Sequence, residues 1–256
     1  MKKVYEIKKD ILFLVENSIE QYDSIIKKRM LMFDELEDKK NIKNYIKIFE
    51  NKTIYNINNK KHEIFGKLKH TDLYQLINNL LSNLINDDNN LYIHSVVLGY
   101  QNKGILLLGD FGSGKTYLSI EARKEGFDIL SADQSWLIKK EKDIYLYKGS
   151  RYLKIDNESE IISENKILKI DTIITLKGAC GFETRINMQE SSYRNIKDIT
   201  KYATWSSSNI LMTDNYELTL DKVKINNFLK DIDIKNFYVF GKIDDIIKFM
   251  KDVLKW

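Results

Sequence analysis

Residues 104–120 read GILLLGDFGSGKTYLSI: an apolar run, a glycine-rich turn, and then a lysine and a threonine. Within this stretch, residues 109–116 fit the pattern G-x-x-x-x-G-K-[S/T] in full. The apolar run is typical of a buried strand, and the residues after the turn can form a helix. A strand, a glycine-rich loop and a helix in this order are the context that a phosphate-binding loop requires. We therefore predict that the stretch binds nucleotide phosphates and is not a chance match.

Each fixed position of this loop has a physical role. Glycines permit backbone angles and close approaches that a Cβ would prevent, so several N–H groups can converge on phosphate oxygens. The first amides and the dipole of the following helix favour an anion. Lys115 would reach the β- and γ-phosphates, and the Thr116 hydroxyl would ligate Mg²⁺. The predicted nucleotide-binding residues are Gly109, Asp110, Phe111, Gly112, Ser113, Gly114, Lys115, Thr116 and Tyr117.

Two ionisable residues flank the loop in the predicted sheet. His94 lies in the strand before the loop, and Asp133 ends the strand that follows the helix. Ligands of open α/β sheets bind at the carboxyl ends of the strands. An aspartate there can hold Mg²⁺ or accept the proton of an attacking hydroxyl. Taken alone, Asp133 also fits a turn residue and His94 a structural histidine, but the neighbouring loop favours a catalytic role for both.

The first part of the chain is highly charged and predicts a small α+β region. Helix is indicated within residues 7–30, with short strands near residues 5–7, 53–57 and 62–65. The next apolar residues follow helical spacing over residues 71–85, with Thr71 as the N-cap. We therefore predict two regions, an N-terminal one that binds a substrate or partner and a catalytic domain. Their expected ranges are 1–70 and 71–256.

The predicted catalytic domain contains further strands and helices. After the loop, a short helix closed by Gly126 is followed by alternating apolar and polar residues typical of half-buried strands. A helix is predicted over residues 191–205, and a strand followed by a terminal helix over residues 237–256. The expected fold class is therefore α/β, with a mixed sheet flanked by helices.

Composition restricts the classes of partner. The net charge of +4 arises from 41 basic and 37 acidic residues spread along the chain, so we expect no nucleic-acid partner. The single cysteine, Cys180, excludes an intrachain disulfide and a cysteine-based zinc site. No stretch resembles a signal peptide or approaches the roughly 18 apolar residues of a membrane span. The expected location is cytoplasmic, without a membrane partner.

Residues 93–137 resemble the catalytic core of the HPr kinase/phosphorylase family, which has the phosphoenolpyruvate carboxykinase-like fold. His94, the loop at residues 109–116 and Gly126 fall at the family's spacing. The resemblance implies phosphorylation of a hydroxyl, with ATP and Mg²⁺ as the cofactors. It also implies Asp133, His94 and Lys115 as catalytic residues, with Thr116 and Asp133 as the metal ligands. A homo-oligomer is compatible with it, since family members are hexameric.

The sequence departs from the family's pattern at two places. Ala132-Asp133 stands where the family has two aspartates, one that accepts the proton and one beside the metal. Either Asp133 fills both roles, or another residue supplies the base, or phosphoryl transfer is impaired. The glycine-rich signature downstream of the aspartate pair is missing, so we do not expect HPr to be the acceptor. A peptide, a protein or a small hydroxylated metabolite fits better. Two alternatives are a nucleotide-binding regulatory or scaffold protein with little transferase activity, and an ordinary P-loop NTPase.

Five other polar residues are weaker candidates for the site. Glu183 and Arg185 could face it, with the arginine neutralising the transferred phosphoryl group, although an exposed strand pair is favoured. Arg151 and Lys154 could contact an anionic substrate, although a solvated strand face is favoured. Gln134 could orient a nucleophile or stabilise a turn, and the sequence does not separate these two roles.

Overall fold

The structure divides the chain into two compact units. It is a computed structural model and describes residues 1–37, 42–155, 158–162, 166–179, 185–189, 199–203 and 222–255. The described residues of the first unit lie within Met1–Asn86, and those of the second within Asp87–Trp205 and Asp221–Trp256. The division falls after Asn86, whereas the sequence analysis placed it after residue 70. The intervening helix accounts for this difference, because it packs on the sheet of the first unit.

The first unit is a sheet covered by two helices. Among the described residues its strand order is β3-β1-β2-β4-β5-β6, with β2 and β4 parallel and the other neighbours antiparallel. The strands are β1 (Lys2–Lys8), β2 (Ile11–Asn17), β3 (Asp34–Leu36), β4 (Asn44–Phe49), β5 (Lys52–Ile57) and β6 (Lys60–Phe65). The helices are α1 (Asp23–Met30) and α2 (His70–Ile85), which confirm an α+β region.

Two sequence-based details of this unit are wrong. The helix expected within residues 7–30 begins only at Asp23, because residues 2–17 form the hairpin β1–β2. Its turn includes Asp10 at φ 65°, and the middle of β2, Phe13 to Val15, is buried. The N-cap of α2 is Lys69 and not Thr71, and no side chain caps that end. The strands expected near residues 5–7, 53–57 and 62–65 are confirmed.

The second unit is a larger mixed sheet with helices. Its strands are β7 (Asn90–His94), β8 (Val96–Tyr100), β9 (Lys103–Gly109), β10 (Asp128–Ser131), β11 (Gln134–Lys140), β12 (Asp143–Gly149), β13 (Tyr152–Ile155), β14 (Glu158–Ile161), β15 (Leu168–Gly178), β16 (Arg185–Gln189) and β17 (Lys235–Phe240). Its helices are α3 (Lys115–Lys124), α4 (Lys222–Leu229) and α5 (Ile243–Val253). The strand and terminal helix expected over residues 237–256 are thereby confirmed. Of the helix expected over residues 191–205, the described residues 199–203 are helical and the rest lie outside the described part.

Three parallel strands form the centre of this sheet. β15 pairs in parallel with β9 on one side and with β17 on the other. The described strands follow the order β10-β8-β9-β15-β12-β11-β7. β17 adjoins β15, β16 pairs with β17, and β13–β14 form a separate hairpin. The helices α3 and α5 share one apolar core with β8, β9, β15 and β17. The carboxyl ends of the three parallel strands therefore meet at one edge, where α3 begins.

A tight hairpin precedes the glycine-rich loop. β8 and β9 pair around Gln101 and Asn102, which have positive φ angles of 50° and 63°. Consecutive residues with positive φ are the geometry of the tight turns that join antiparallel strands. The hairpin fixes β9, and hence the loop at its end, against the neighbouring strands. None of the described helices is both long and apolar enough to cross a membrane.

Candidate functional site

The glycine-rich loop joins β9 to α3, which confirms the predicted strand–loop–helix context. Gly114 at the N-cap of α3 has φ 92°, a conformation that favours glycine. A Cβ on Gly114 would lie 2.7 Å from the Cβ of Ala179, and one on Gly109 would lie 2.8 Å from the Leu176 carbonyl oxygen. β15 and the residue after it approach the loop so closely that a Cβ would not fit at either position, which is why both are glycine.

Replacing Gly114 with alanine is expected to be much more damaging than replacing Gly112. Both residues have positive φ, but a Cβ on Gly112 would meet nothing within 4 Å. Gly112→Ala should therefore cost only the backbone strain of about 1–2 kcal/mol, whereas Gly114→Ala adds the clash. Urea unfolding measures both, and Ala179→Gly should recover part of the loss in Gly114→Ala. Equal losses in the two single variants would contradict the close packing.

The Lys115 side chain lies inside the loop and is only 8% exposed. Its Nζ donates hydrogen bonds to the carbonyl oxygens of Gly109 at 2.7 Å and Asp110 at 3.1 Å. Burial lowers the pKa of Lys115, and the nearby carboxylates of Asp133 and Asp110 oppose that shift. The ammonium group is thus held at the centre of the loop, in surroundings where an anionic ligand would favour its charged form.

His94 and Asp133, which are distant in sequence, form a pair beside the loop. β7 ends at His94 and β11 begins at Gln134, and these two residues lie opposite each other in the antiparallel pairing. Nδ1 of His94 and Oδ1 of Asp133 are 3.2 Å apart. The histidine side chain is buried, while that of Asp133 is 24% exposed and accessible to a ligand. β10 ends at Ser131 and β11 begins at Gln134, so Asp133 lies in the short turn between them, two residues beyond the strand that it was predicted to end.

A chain of buried serines holds the turn that carries Asp133. Ser131 Oγ donates to the carbonyl oxygen of Gln134 at 2.7 Å, and it accepts from Ser135 Oγ at 2.9 Å. Ser95 Oγ donates to Ser135 Oγ at 2.7 Å, and its backbone N–H donates to the Asp133 carbonyl oxygen at 3.0 Å. All three serines are fully buried. They fix the backbone on both sides of the carboxylate, a role that the sequence analysis did not assign to them.

Removing the Ser131 hydroxyl is expected to destabilise the second unit. Ser131→Ala leaves the Gln134 carbonyl and the Ser135 hydroxyl without this partner, at a cost of about 1–3 kcal/mol in the free energy of unfolding. Ser150→Ala is a matched control, because the buried Ser150 Oγ has no hydrogen-bond partner among the described residues. Urea unfolding of both variants measures the difference. A loss in Ser150→Ala as large as that in Ser131→Ala would contradict the role of the chain.

One cleft of about 360 Å³ contains the loop and the His94–Asp133 pair, a size within the range of small-molecule sites. It is lined by His94, Phe111, Gly112, Ser113, Gly114, Lys115, Thr116, Tyr117, Ala132 and Asp133. No group of three or more acidic, histidine or cysteine side chains suited to a metal occurs within the described part of the chain. Mg²⁺ is commonly held by one or two protein oxygens together with substrate phosphates, which Thr116 and Asp133 fit.

The weaker candidates lie apart from this cleft or outside the described residues. The backbone carbonyl of Gln134 accepts bonds from Ser131 Oγ and from the Ser150 N–H, so the main chain of this residue stabilises the turn. Arg185 is exposed at the start of β16, opposite Phe240 of β17. Arg151 is partly buried at the start of the β13–β14 hairpin. Cys180, Glu183 and the side chain of Lys154 lie outside the described part of the chain.

Two residues that the sequence analysis did not select contact the phosphate loop. Lys201 forms an ion pair with the carboxylate of Asp110, and the hydroxyl of Tyr202 donates to the same Asp110 Oδ1 at 3.3 Å. The lysine contact holds the pKa of Asp110 below its usual value. A helix was predicted for this segment, but no pattern in the sequence indicates which of its faces meets a loop so distant in the chain.

Comparison with known proteins gives a partial structural likeness. No protein-family model matches the chain, and no curated protein matches it. Among solved structures, it is similar to the HPr(Ser) kinase/phosphatase from Coxiella burnetii, with a TM-score of 0.30 and 17% sequence identity. The match covers 33% of this chain and 58% of that one, so it spans less than two thirds of that protein. The functional proposal therefore depends on the residues of the site itself.

Proposed function

We propose that the second unit is a phosphotransferase of the P-loop kinase type, which transfers the γ-phosphoryl group of ATP to a hydroxyl. The observation that carries the proposal is the single cleft in which the loop and Lys115 lie beside the His94–Asp133 pair. The loop alone would bind a nucleotide for many purposes. A carboxylate with a histidine partner in the same cleft adds a group that can accept a proton.

In this proposal each residue of the cleft has a separate role in phosphoryl transfer. Backbone amides of the loop bind the phosphates, and Lys115 compensates charge on the β- and γ-phosphates. The acceptor hydroxyl oxygen attacks the γ-phosphorus, its proton passes to Asp133, and the bond to the β–γ bridging oxygen breaks to release ADP. His94 holds the Asp133 carboxylate in place through the contact at 3.2 Å. Thr116 and Asp133 would hold Mg²⁺, which neutralises phosphate charge when bound.

The test of this function is phosphoryl transfer from γ-labelled ATP. The protein is incubated with labelled ATP, Mg²⁺ and pools of hydroxyl acceptors: serine and threonine peptides, a protein mixture and small hydroxylated metabolites. Transfer to an acceptor in one pool is expected, and replacing Lys115 or Asp133 should abolish it. Phosphate release that does not depend on any acceptor would instead indicate an ordinary NTPase. Tight ATP binding without transfer to any pool would contradict the kinase proposal.

A specific observation favours a second candidate, a nucleotide-binding regulatory protein. Ala132 is 7% exposed and lines the cleft next to Asp133, at the position where the resembled family carries its other aspartate. A methyl group there cannot accept a proton, so Asp133 would have to act alone. Ala132→Asp separates the two candidates. If the wild type binds ATP without transfer and this variant gains transfer, the natural chain is a sensor of nucleotides.

A further inference from the structure

The second position of the phosphate loop carries a charge of the same sign as its expected ligand. Asp110 directly follows Gly109, and its carbonyl oxygen already accepts a bond from Lys115 Nζ at 3.1 Å. The Asp110 carboxylate acts electrostatically on Lys115, the cation expected to meet the phosphates. A negative charge that is felt at this ammonium is also felt by a polyphosphate bound to it, and it would weaken binding if left uncompensated.

The largest compensating contact comes from a packed helical segment, and Lys177 acts on the same carboxylate to a smaller extent. Within residues 199–203, Ile199, Tyr202 and Ala203 are buried, with exposures of 3% or less. Their burial fixes Lys201 opposite Asp110, where the two form an ion pair. Tyr202 adds a hydrogen bond to the same carboxylate oxygen at 3.3 Å. Two neighbouring residues of one packed segment thus converge on a single side chain of the loop.

We propose that Lys201 neutralises Asp110 and thereby allows the loop to accept the polyanionic phosphates of a nucleotide. Lys201 is a positioning and charge-compensating residue: it acts through Asp110 and does not itself contact the ligand. The ion pair is solvent-accessible, so its direct contribution to folding stability is small. Its role lies in ligand affinity. This inference rests on the proposed function, because it needs a loop that binds phosphates.

A double-mutant cycle on ATP affinity tests the inference. Lys201→Met exposes the Asp110 charge to the ligand and should weaken ATP binding about tenfold, the order expected for one uncompensated charge near an anion. Asp110→Asn should bind ATP at least as tightly as the wild type. The double variant lacks the Asp110 carboxylate charge, so its dissociation constant for ATP should return to within about threefold of the wild-type value.

Salt dependence supplies a readout that a merely structural role would not change. The loss in Lys201→Met arises from repulsion, so it should shrink as ionic strength rises from about 0.05 to 0.5 M. The pair Lys251–Glu125 is a matched control, since it is also an exposed ion pair of this unit but lies beyond the opposite end of α3. Lys251→Met and Glu125→Gln should leave ATP affinity unchanged. Isothermal titration calorimetry, with urea unfolding of every variant, provides the measurements.

Three outcomes would overturn the inference. If the double variant binds as weakly as Lys201→Met, the lysine contacts the phosphates directly. If wild type and Lys201→Met bind ATP equally well, Asp110 needs no neutralisation, while the proposed function stands. If the wild type binds no ATP, the proposed function fails, and this inference fails with it.

Discussion

Lys115→Met is expected to lower the rate of phosphoryl transfer by at least about 100-fold, the usual effect of removing one preorganised charge-stabilising group. Methionine keeps most of the buried volume but removes the ammonium that lies within the loop, 2.7 Å from the Gly109 carbonyl oxygen. ATP affinity should fall as well, because the β- and γ-phosphates lose their cation. Labelled-ATP transfer and calorimetry measure the two effects separately.

The same variant should also lose a pH dependence of stability that the wild type has. Burial lowers the pKa of Lys115 from its ordinary value of 10.5, so the folded state disfavours the charged form. Burying the charged ammonium therefore lowers the free energy of unfolding, and this loss is fully present below the folded-state pKa of Lys115. It is relieved as the pH rises from that pKa toward 10.5, because the folded state loses its proton first. Wild-type stability should therefore rise across that window, and the stability of Lys115→Met should lack this rise.

Lys124→Met is the matched control for this prediction. Lys124 ends the same helix, but it is exposed and pairs with Glu121 at 2.8 Å on the surface. Its replacement should change neither transfer nor ATP affinity. If Lys115→Met retained more than a tenth of wild-type transfer, or if Lys124→Met lost as much, the loop lysine would not have the role assigned to it.

Asp133→Asn is expected to reduce transfer by about 10²–10⁴-fold, the range typical for loss of a general base. The amide can still lie beside His94, but it cannot take up the proton of an attacking hydroxyl. ATP binding in the absence of Mg²⁺ should persist, since the loop is untouched. The combination of lost transfer and retained binding distinguishes a catalytic carboxylate from one that only supports the fold.

Asp128→Asn serves as the control for Asp133→Asn. Asp128 lies at the exposed start of β10, the strand that leads to the Ala132-Asp133 turn. Its replacement should leave transfer unchanged. Wild-type transfer in Asp133→Asn would contradict the assignment of the base. Equal losses in transfer and in the affinity for Mg²⁺–ATP, with ATP binding unchanged when Mg²⁺ is absent, would instead assign Asp133 to the metal alone.

The features that could be predicted from the sequence are those determined by residues that are close together in the chain. The loop from Gly109 to Thr116 is defined by closely spaced glycines, and the apolar run before it matches the buried strand β9. The position of Asp133 followed from the alternation of strands and loops, because the carboxyl ends of strands meet at one edge. His94 was placed near it by the same reasoning, and the two side chains are in contact.

The features that could not be predicted depend on contacts between distant segments. Residues 11–17 were expected to be helical, because a short apolar run fits either structure until its strand partners are known. The domain boundary was placed before α2, since helical periodicity shows which face is buried but not which sheet covers it. The contact of Lys201 with Asp110 likewise joins residues far apart in the chain, and a charge pattern in one helix does not reveal its partner.

The central claim is that one cleft binds ATP, with its phosphates at the loop and the metal-bound end of the phosphate chain next to Asp133. Manganese–ATP tests it directly, because paramagnetic Mn²⁺ broadens the NMR signals of nearby amides. As manganese–ATP is added, the claim predicts that the amide signals of residues 112–117 and 132–134 broaden first. Mn²⁺ without nucleotide should not reproduce this pattern. Broadening centred elsewhere in the chain, or none in either segment at saturating manganese–ATP, would contradict it.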